Sequence, residues 1–413
     1  MTRGQVLGLM ALVACDGGAA PDVAKAVDGA PVAPAKVEAP KGEAPKVEAP
    51  KEPEPEPEAV AVAPKVRDYK TFFDFCTKAG DSSFAESEVV GLLSTAAGGA
   101  GCDEIWARLQ KLEVLDLSMK NITTLAPLAG LDALRELDVA FNEVRDIRPL
   151  ATLTGLRKLN VAGLRAASLE PLAGLTGLVE LMASSRTVSD FSALAKLENL
   201  EVLALEYVKP VDLTPLASLK RLRVLSLGFN KKLSDLGPLA KLSTLTELRV
   251  EGLTAVTDIK AVAGLTGLRM LSVFGEPGIK DATVIAGLTE LEDLTLTLDG
   301  GKLPPFAAFK RLKRLHVERS GLTDISVVNG VTSLEEVYFD ENKISSIEPL
   351  RGLLGLKTVR VSNNKIVDMS PLAGAGKLEF LQIEGNPVGK DEASCPVAGD
   401  GMLAAFCRKL RGL

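Results

Sequence analysis

From Leu112 onward, apolar and polar residues repeat on one template, best seen from Leu134 to Leu153. Leu134, Leu137 and Val139 form an apolar set with polar or small residues between them, and Val144, Ile147, Leu150 and Leu153 form a second. The first set predicts a short strand with its apolar side turned inward, and the second a compact return leg. The opening Leu recurs at Leu112, Leu134, Leu156, Leu178, Leu200, Leu222, Leu245, Leu268, Leu291, Leu312, Leu334, Leu356 and Leu378, thirteen units of 21 to 23 residues. So short a unit has no room for a long crossover helix. Its outer side is expected to run through turns and short 3₁₀ segments, entered at Pro127, Pro171, Pro349 or Pro371. About seven apolar side chains contribute roughly 10 to 20 kcal/mol of gross burial, and ordering the unit costs at least as much. One unit therefore cannot fold alone; stability must come from stacking, with both ends sealed.

The motif LxxLxLxx(N)x(I/V)xx(I/L)xPLxxL matches the leucine-rich-repeat signature. Over roughly residues 112 to 400 it resembles the internalin-like, short-repeat class of bacterial leucine-rich-repeat proteins. That resemblance implies an α/β solenoid: a leucine-rich-repeat horseshoe with a parallel concave β-sheet, a 3₁₀ and turn convex side, and a cap at each end. It also implies a ligand-binding surface protein. The expected organisation is a signal peptide at 1–14, a lipidated Cys15 with a disordered linker over 15–65, an N-terminal cap at 66–111, repeats at 112–399 and a C-terminal cap helix at 400–413.

The first residues place Arg3 before an apolar run from Val6 to Val13, which is a secretory signal too short to span a bilayer. Leu12-Val13-Ala14-Cys15 resembles a bacterial lipobox, and the resemblance implies lipidation of Cys15. Asp16 resembles an inner-membrane retention signal, and the leaflet is left open. The alternative is an ordinary signal peptide with a chance Cys. From Gly17 to Pro64 the chain is rich in Ala, Pro, Lys, Glu and Val, ending in runs such as Pro53-Glu54-Pro55-Glu56-Pro57. Such a stretch buries no core and is read as a solvated spacer with a reach on the order of 100 Å.

Within the units, Asn142, Asn230, Asn342, Asn364 and Asn386 share the ninth place, where an amide can satisfy turn backbone. Leu164, Arg186, Val208, Leu253 and Glu276 stand there in other units, which must meet the demand otherwise. Asp146, Asp190, Asp235, Asp258, Asp324 and Asp368 recur singly before the return leg. They read as turn caps rather than as the clustered oxygens of a calcium site. With strands stacked about 4.8 Å apart, Cys76 and Cys102 lie tens of ångströms from Cys395 and Cys407. Only the pairs Cys76–Cys102 and Cys395–Cys407 are then in reach, and paired cysteines fit an oxidising compartment. Four reduced thiols are the alternative. Phe72, Phe73, Phe75 and Trp106 are expected to seal one end, and Met402, Leu403, Phe406 and Leu410 the other.

Composition narrows the chemistry. A net charge of −6 lacks the basic footprint of nucleic-acid binding, and no GxGxxG or GxxxxGK[ST] loop is present. His316 is the one histidine, no CxxC pair exists, and the dozen residues after the last unit are too few for a catalytic domain. No cofactor, metal or enzymatic activity is expected.

Strand alternation turns the third, fifth and seventh places toward the concave face, expected to be broad, rigid and uncovered. The fifth place runs from Asp116, Asp138 and Asn160 through Arg249 to His316, Tyr338 and Arg360, from acidic to mixed and basic. The candidate ligand-binding residues are Tyr207, Phe229, Arg249, Phe274, Arg314, His316, Tyr338 and Arg360, aromatics beside Arg being frequent interface anchors. Aromatics folded down over gaps between units are the alternative. The three 23-residue units add residues around Lys231-Lys232, Thr254-Ala255 and Pro277-Gly278, expected to form a ledge on one rim. The expected partner is a protein or peptide of the cell envelope or of another cell, with the membrane engaged through the lipid anchor. The alternative is a structural envelope protein engaging peptidoglycan or polysaccharide.

Overall fold

The structure, a computed structural model, describes residues 70–78, 82–209, 212–275 and 278–413. The signal peptide, Cys15, the linker, residues 66–69 of the expected N-terminal cap, Glu276 and Pro277 lie outside the described residues.

Each unit opens with a short strand: β1 (Val114–Asp116), β2 (Glu136–Asp138), β3 (Lys158–Asn160), β4 (Glu180–Met182), β5 (Val202–Ala204), β6 (Val224–Ser226), β7 (Glu247–Arg249) and β8 (Met270–Val273). Then follow β9 (Ile279–Asp281), β10 (Asp293–Leu296), β11 (Leu298–Lys302), β12 (Arg314–His316), β13 (Glu336–Tyr338), β14 (Thr358–Arg360) and β15 (Phe380–Gln382). All but β9 and β11 join in one thirteen-stranded parallel sheet, in chain order. Register is in phase throughout, Leu115 pairing with Leu137 and Leu137 with Leu159, because a slip of one residue would turn each apolar column outward.

Leu134, Leu137, Val139, Val144, Ile147, Leu150 and Leu153 are all buried, as the template requires. The return legs are 3₁₀ turns, with proline at the start of Ala126–Leu128, Glu170–Leu172, Glu348–Leu350 and Ser370–Leu372. There its fixed φ suits the turn and its missing N–H costs nothing. The recurrent Asp carboxylates cap these turns: Asp146 accepts the Arg148 N–H at 3.0 Å and Asp324 the Ser326 N–H at 2.7 Å.

The ninth-place amides bridge successive units. Asn342 Nδ2 donates to the Val317 and Phe339 carbonyls at 2.7 and 2.9 Å, and its Oδ1 accepts from the Ser320 and Leu322 N–H groups, each at 3.0 Å. Where Leu164 and Arg186 replace the amide, Ser185 and Thr187 hydroxyls donate to the Leu164 carbonyl instead.

Three helices stand before the first unit: α1 (Phe72–Thr77), α2 (Phe84–Ala97) and α3 (Cys102–Leu109). The N–H groups of Thr71 and Ser83 are capped by Asp74 and Glu86. The ring of buried Phe72 lies parallel to that of Trp106, and a disulfide joins Cys76 to Cys102. At the other end α4 (Met402–Arg411) is tied by the Cys395–Cys407 disulfide. Its inner stripe is Leu403, Phe406, Cys407 and Leu410, at helical spacing. Met402 falls off that stripe and is exposed, so it does not share in the cap as expected.

The rim differs from expectation. Of the 23-residue units, Lys231, Lys232, Thr254 and Ala255 are exposed, Thr254 Oγ1 donating to the Lys231 carbonyl. Beyond them β9 and β11 form a second, two-stranded parallel sheet. Gly278 and Gly301 permit it: a Cβ on either would sit 2.4 to 2.5 Å from backbone atoms of the facing strand.

Candidate functional site

Strands β12, β13 and β14 carry the densest cluster of chemistry-bearing side chains on the sheet face turned away from the core. In-phase register places His316 beside Tyr338 and Tyr338 beside Arg360. The imidazole and phenol rings stack with centroids 3.8 Å apart and planes inclined by 15°, and the Arg360 guanidinium lies 5.6 Å from the Tyr338 centroid. Such contacts contribute about 0.5 to 1.5 kcal/mol each.

Carboxylates at the third and seventh places hold the cations. Arg314 Nε is 2.8 Å from Asp293 Oδ2. Arg360 reaches Asp340 Oδ2 through Nε at 2.8 Å and Nη2 at 2.7 Å, while Asp340 Oδ1 accepts the Ser362 N–H. The Tyr338 hydroxyl donates to Glu336 Oε2 at 2.8 Å. Burial, then the hydrogen bond to Glu336 and its charge, push that phenol up to about 12. Burial holds His316 below the ordinary imidazole value, against the pull of Asp293 and Glu336. Burial, aided by the neighbouring Asp340 charge, raises the Glu318 carboxyl. The result is a preorganised patch that at neutral pH carries a neutral imidazole and two guanidiniums, each about two-fifths exposed. Arg donors left free of their internal partners can meet carboxylates or peptide carbonyls.

The other candidates lie apart from this cluster. Tyr207 and Phe229 sit in left-handed backbone at φ +59° just past their strands, stacked 4.8 Å apart with planes inclined by 4°. Arg186 lies 5.4 Å from the Tyr207 centroid, and Phe229 lies against Gly252, where a Cβ would meet its ring at 2.6 Å. These two rings are layered between successive turns, as in the folded-down alternative. Phe274 is exposed past β8, and Arg249 stands alone on β7 with its Nε buried and unpartnered among the described residues.

The face between the two groups is not uncovered. Met182, Ala204, Ser226 and Ser272 are buried at the fifth place, because side chains from neighbouring places close over it. Glu206 accepts from Ser226 Oγ at 2.5 Å and Glu251 from Ser272 Oγ at 2.7 Å. Sequence reading missed Asp293, Glu318, Glu336 and Asp340 as site members, though their third and seventh places share the face of the fifth.

These features define a leucine-rich-repeat solenoid of the short-repeat, internalin-like kind. It is similar to an internalin (inlF) of Listeria monocytogenes at 25% identity and a TM-score of 0.59, over 71% of this chain and 94% of that one. A leucine-rich-repeat protein of Leptospira interrogans shares the fold at 19% identity and a TM-score of 0.56, over 70% of this chain and 87% of that one. So does the functional domain of InlJ from Listeria monocytogenes, which includes a cysteine ladder, at 16% identity and a TM-score of 0.53, over 77% and 72%. No family model and no curated protein matches the sequence, so the likeness is one of structure. Two disulfides and the internalin-like fold together point to an extracytoplasmic setting.

Proposed function

We propose that the chain is a binding module tethered to the membrane through lipidated Cys15, with residues 15–65 as spacer, and that it recognises a protein or peptide partner through the sheet face. It is not a catalyst. The observation that carries this reading is the His316–Tyr338–Arg360 row, flanked by Arg314 and held in place by acidic partners. Preorganised Arg and Tyr at the centre of a rigid sheet are the residue types that dominate protein interfaces.

The same geometry weighs against the glycan alternative. A sugar ring stacks on a free aromatic face, but Tyr338 has His316 on one side and Arg360 near its ring. Phe229 is covered by Tyr207 and packs against Gly252. What these rings offer a ligand is mainly edges and polar tips.

The test is a cross-linking capture from intact cells, comparing the native chain with a Tyr338→Ala, Arg360→Ala variant whose fold is verified by circular dichroism. One protein captured by the first and lost from the second supports the reading. Equal capture by both, or displacement by purified glycan strands, overturns it. Mass spectrometry of the mature N-terminus tests the tether, which is rejected if Cys15 carries no acyl chains.

A further inference from the structure

On the rim, away from the row of rings, the ladder of turns is interrupted. Where the rim is regular, one backbone bond per turn ties a unit to the next: Glu143 N–H to the Ile122 carbonyl at 2.9 Å, Arg165 N–H to Val144 at 2.8 Å and Lys365 N–H to Ile344 at 2.8 Å. The turns flanking the second sheet carry it too, from Lys280 N–H to Thr257 and from Lys343 N–H to Leu322. Between β11 and the turn that follows, it is missing. β11 pairs backward with β9, the Ala282 N–H donating to the Lys302 carbonyl at 3.0 Å. Forward, its one connection is at its first residue, where the Leu298 N–H donates to Ser320 Oγ at 2.9 Å. Past that point no hydrogen bond among the described residues joins β11 to Gly321–Asp324, and the Gly321 and Thr323 N–H groups donate to nothing.

A cleft of about 390 Å³ fills the gap, walled by Gly300–Leu303 on one side and Ser320–Asp324 on the other. That volume lies within the range of ligand-binding clefts. Both walls are stripped of side chains where they face it. Gly300 and Gly321 have φ of +59° and +65°, and a Cβ on either would meet nothing within 4 Å. Walls of bare backbone with an unpaired strand edge suit an occupant that brings backbone of its own. Lys302 and Asp324 give the walls one charge of each sign, so no net charge is selected.

We propose that this cleft takes one extended peptide segment of a partner protein, laid as an added strand against the free edge of β11. Its amides and carbonyls meet β11 on one side and the Gly321–Thr323 backbone on the other, so the segment closes the interrupted rim. This is β-augmentation, in which main-chain bonds carry affinity and side chains contribute little selection at the glycine-lined positions. The surface is separate from the sheet-face patch and does not depend on it.

The test selects heptapeptides from a random displayed library on the full chain, then measures binding of the synthetic winners by calorimetry. Each is compared with a copy N-methylated at alternate residues, which cannot pair as a strand. Proteins compared are the native chain, Thr323→Trp, which fills the cleft from an exposed position, and Tyr338→Ala. The expected result is binding that is unchanged by Tyr338→Ala, weakened about tenfold or more by Thr323→Trp and lost on N-methylation. Amide exchange on the native chain should also slow at Gly300–Lys302 and Gly321–Thr323 when peptide binds, a readout that needs no variant. A library that yields no cleft-dependent peptide overturns the proposal. So does protection of these amides by raising protein concentration alone, which would make the occupant a second copy of the chain. Loss of binding with Tyr338→Ala but not with Thr323→Trp would assign the peptide to the sheet face and reject the cleft.

Discussion

Replacing Asn342 with Ala tests how the solenoid satisfies its buried backbone. The amide is 7% exposed and joins two successive units. Its removal leaves the Ser320 and Leu322 N–H groups and the Val317 and Phe339 carbonyls without those partners. At about 1 kcal/mol for each orphaned group, the loss comes to about 4 kcal/mol. Asn230 provides an internal comparison. Its Nδ2 donates to the Leu205 and Leu227 carbonyls at 2.7 and 2.8 Å, but its Oδ1 is buried with no partner among the described residues. Pro210 stands where Ile122 supplies an N–H to Asn142, and proline has none to give. Asn230→Ala orphans two carbonyls and should cost about 2 kcal/mol, half as much. Urea unfolding followed by far-ultraviolet circular dichroism measures both, provided the slope m stays that of the native chain. Equal losses for the two variants, or a loss below about 1 kcal/mol for Asn342→Ala, would refute the amide-bridge account.

Two further outcomes are expected. Cys76→Ser with Cys102→Ser opens a loop of sequence separation 26 and should cost about 3.5 kcal/mol, and Cys395→Ser with Cys407→Ser, at separation 12, about 3 kcal/mol. Limited proteolysis should then cut first in the cap whose bridge is lost, and cutting within the repeats first would contradict the assigned role of the caps. His316 has a folded pKa below its unfolded value near 6.5, so the unfolded chain takes up the proton first as pH falls. Its contribution is therefore present above pH 6.5 and is lost below it, levelling off beneath the folded pKa. Urea midpoints of native chain and His316→Gln should converge as pH falls from 8 to 5; parallel curves would show that the imidazole does not titrate as its burial demands.

Much of the fold is legible in the amino-acid order because each structural demand recurs at a constant interval. Leu137, Leu159 and Leu181 become one column by stacking, and a repeated signal is hard to misread. Cysteine pairing follows from the same stacking, since it separates the two ends beyond reach. The site was legible only in part. Alternation assigned His316, Tyr338 and Arg360 to one face, but the short-range order within that face comes from contacts across units. Arg360 finds Asp340 twenty residues away, and Glu206 folds over Ser226 at the same separation. No local pattern marks which carboxylate will turn back over its neighbour.

Thirteen units, the inward leucine columns, the proline-entered return legs and the amide places follow from the sequence alone, since each rests on side-chain period and on the hydrogen-bonding capacity of single residues. Tertiary structure decided what depends on how closely one turn approaches the next. It buried the middle of the sheet face, layered Tyr207 on Phe229, and sent β11 back to β9 past Gly278 and Gly301 so that the rim beyond stands open. The physical reason is range: burial and periodicity act along the chain, whereas packing gaps, ring stacks and unpaired edges arise between segments that the chain order does not bring together.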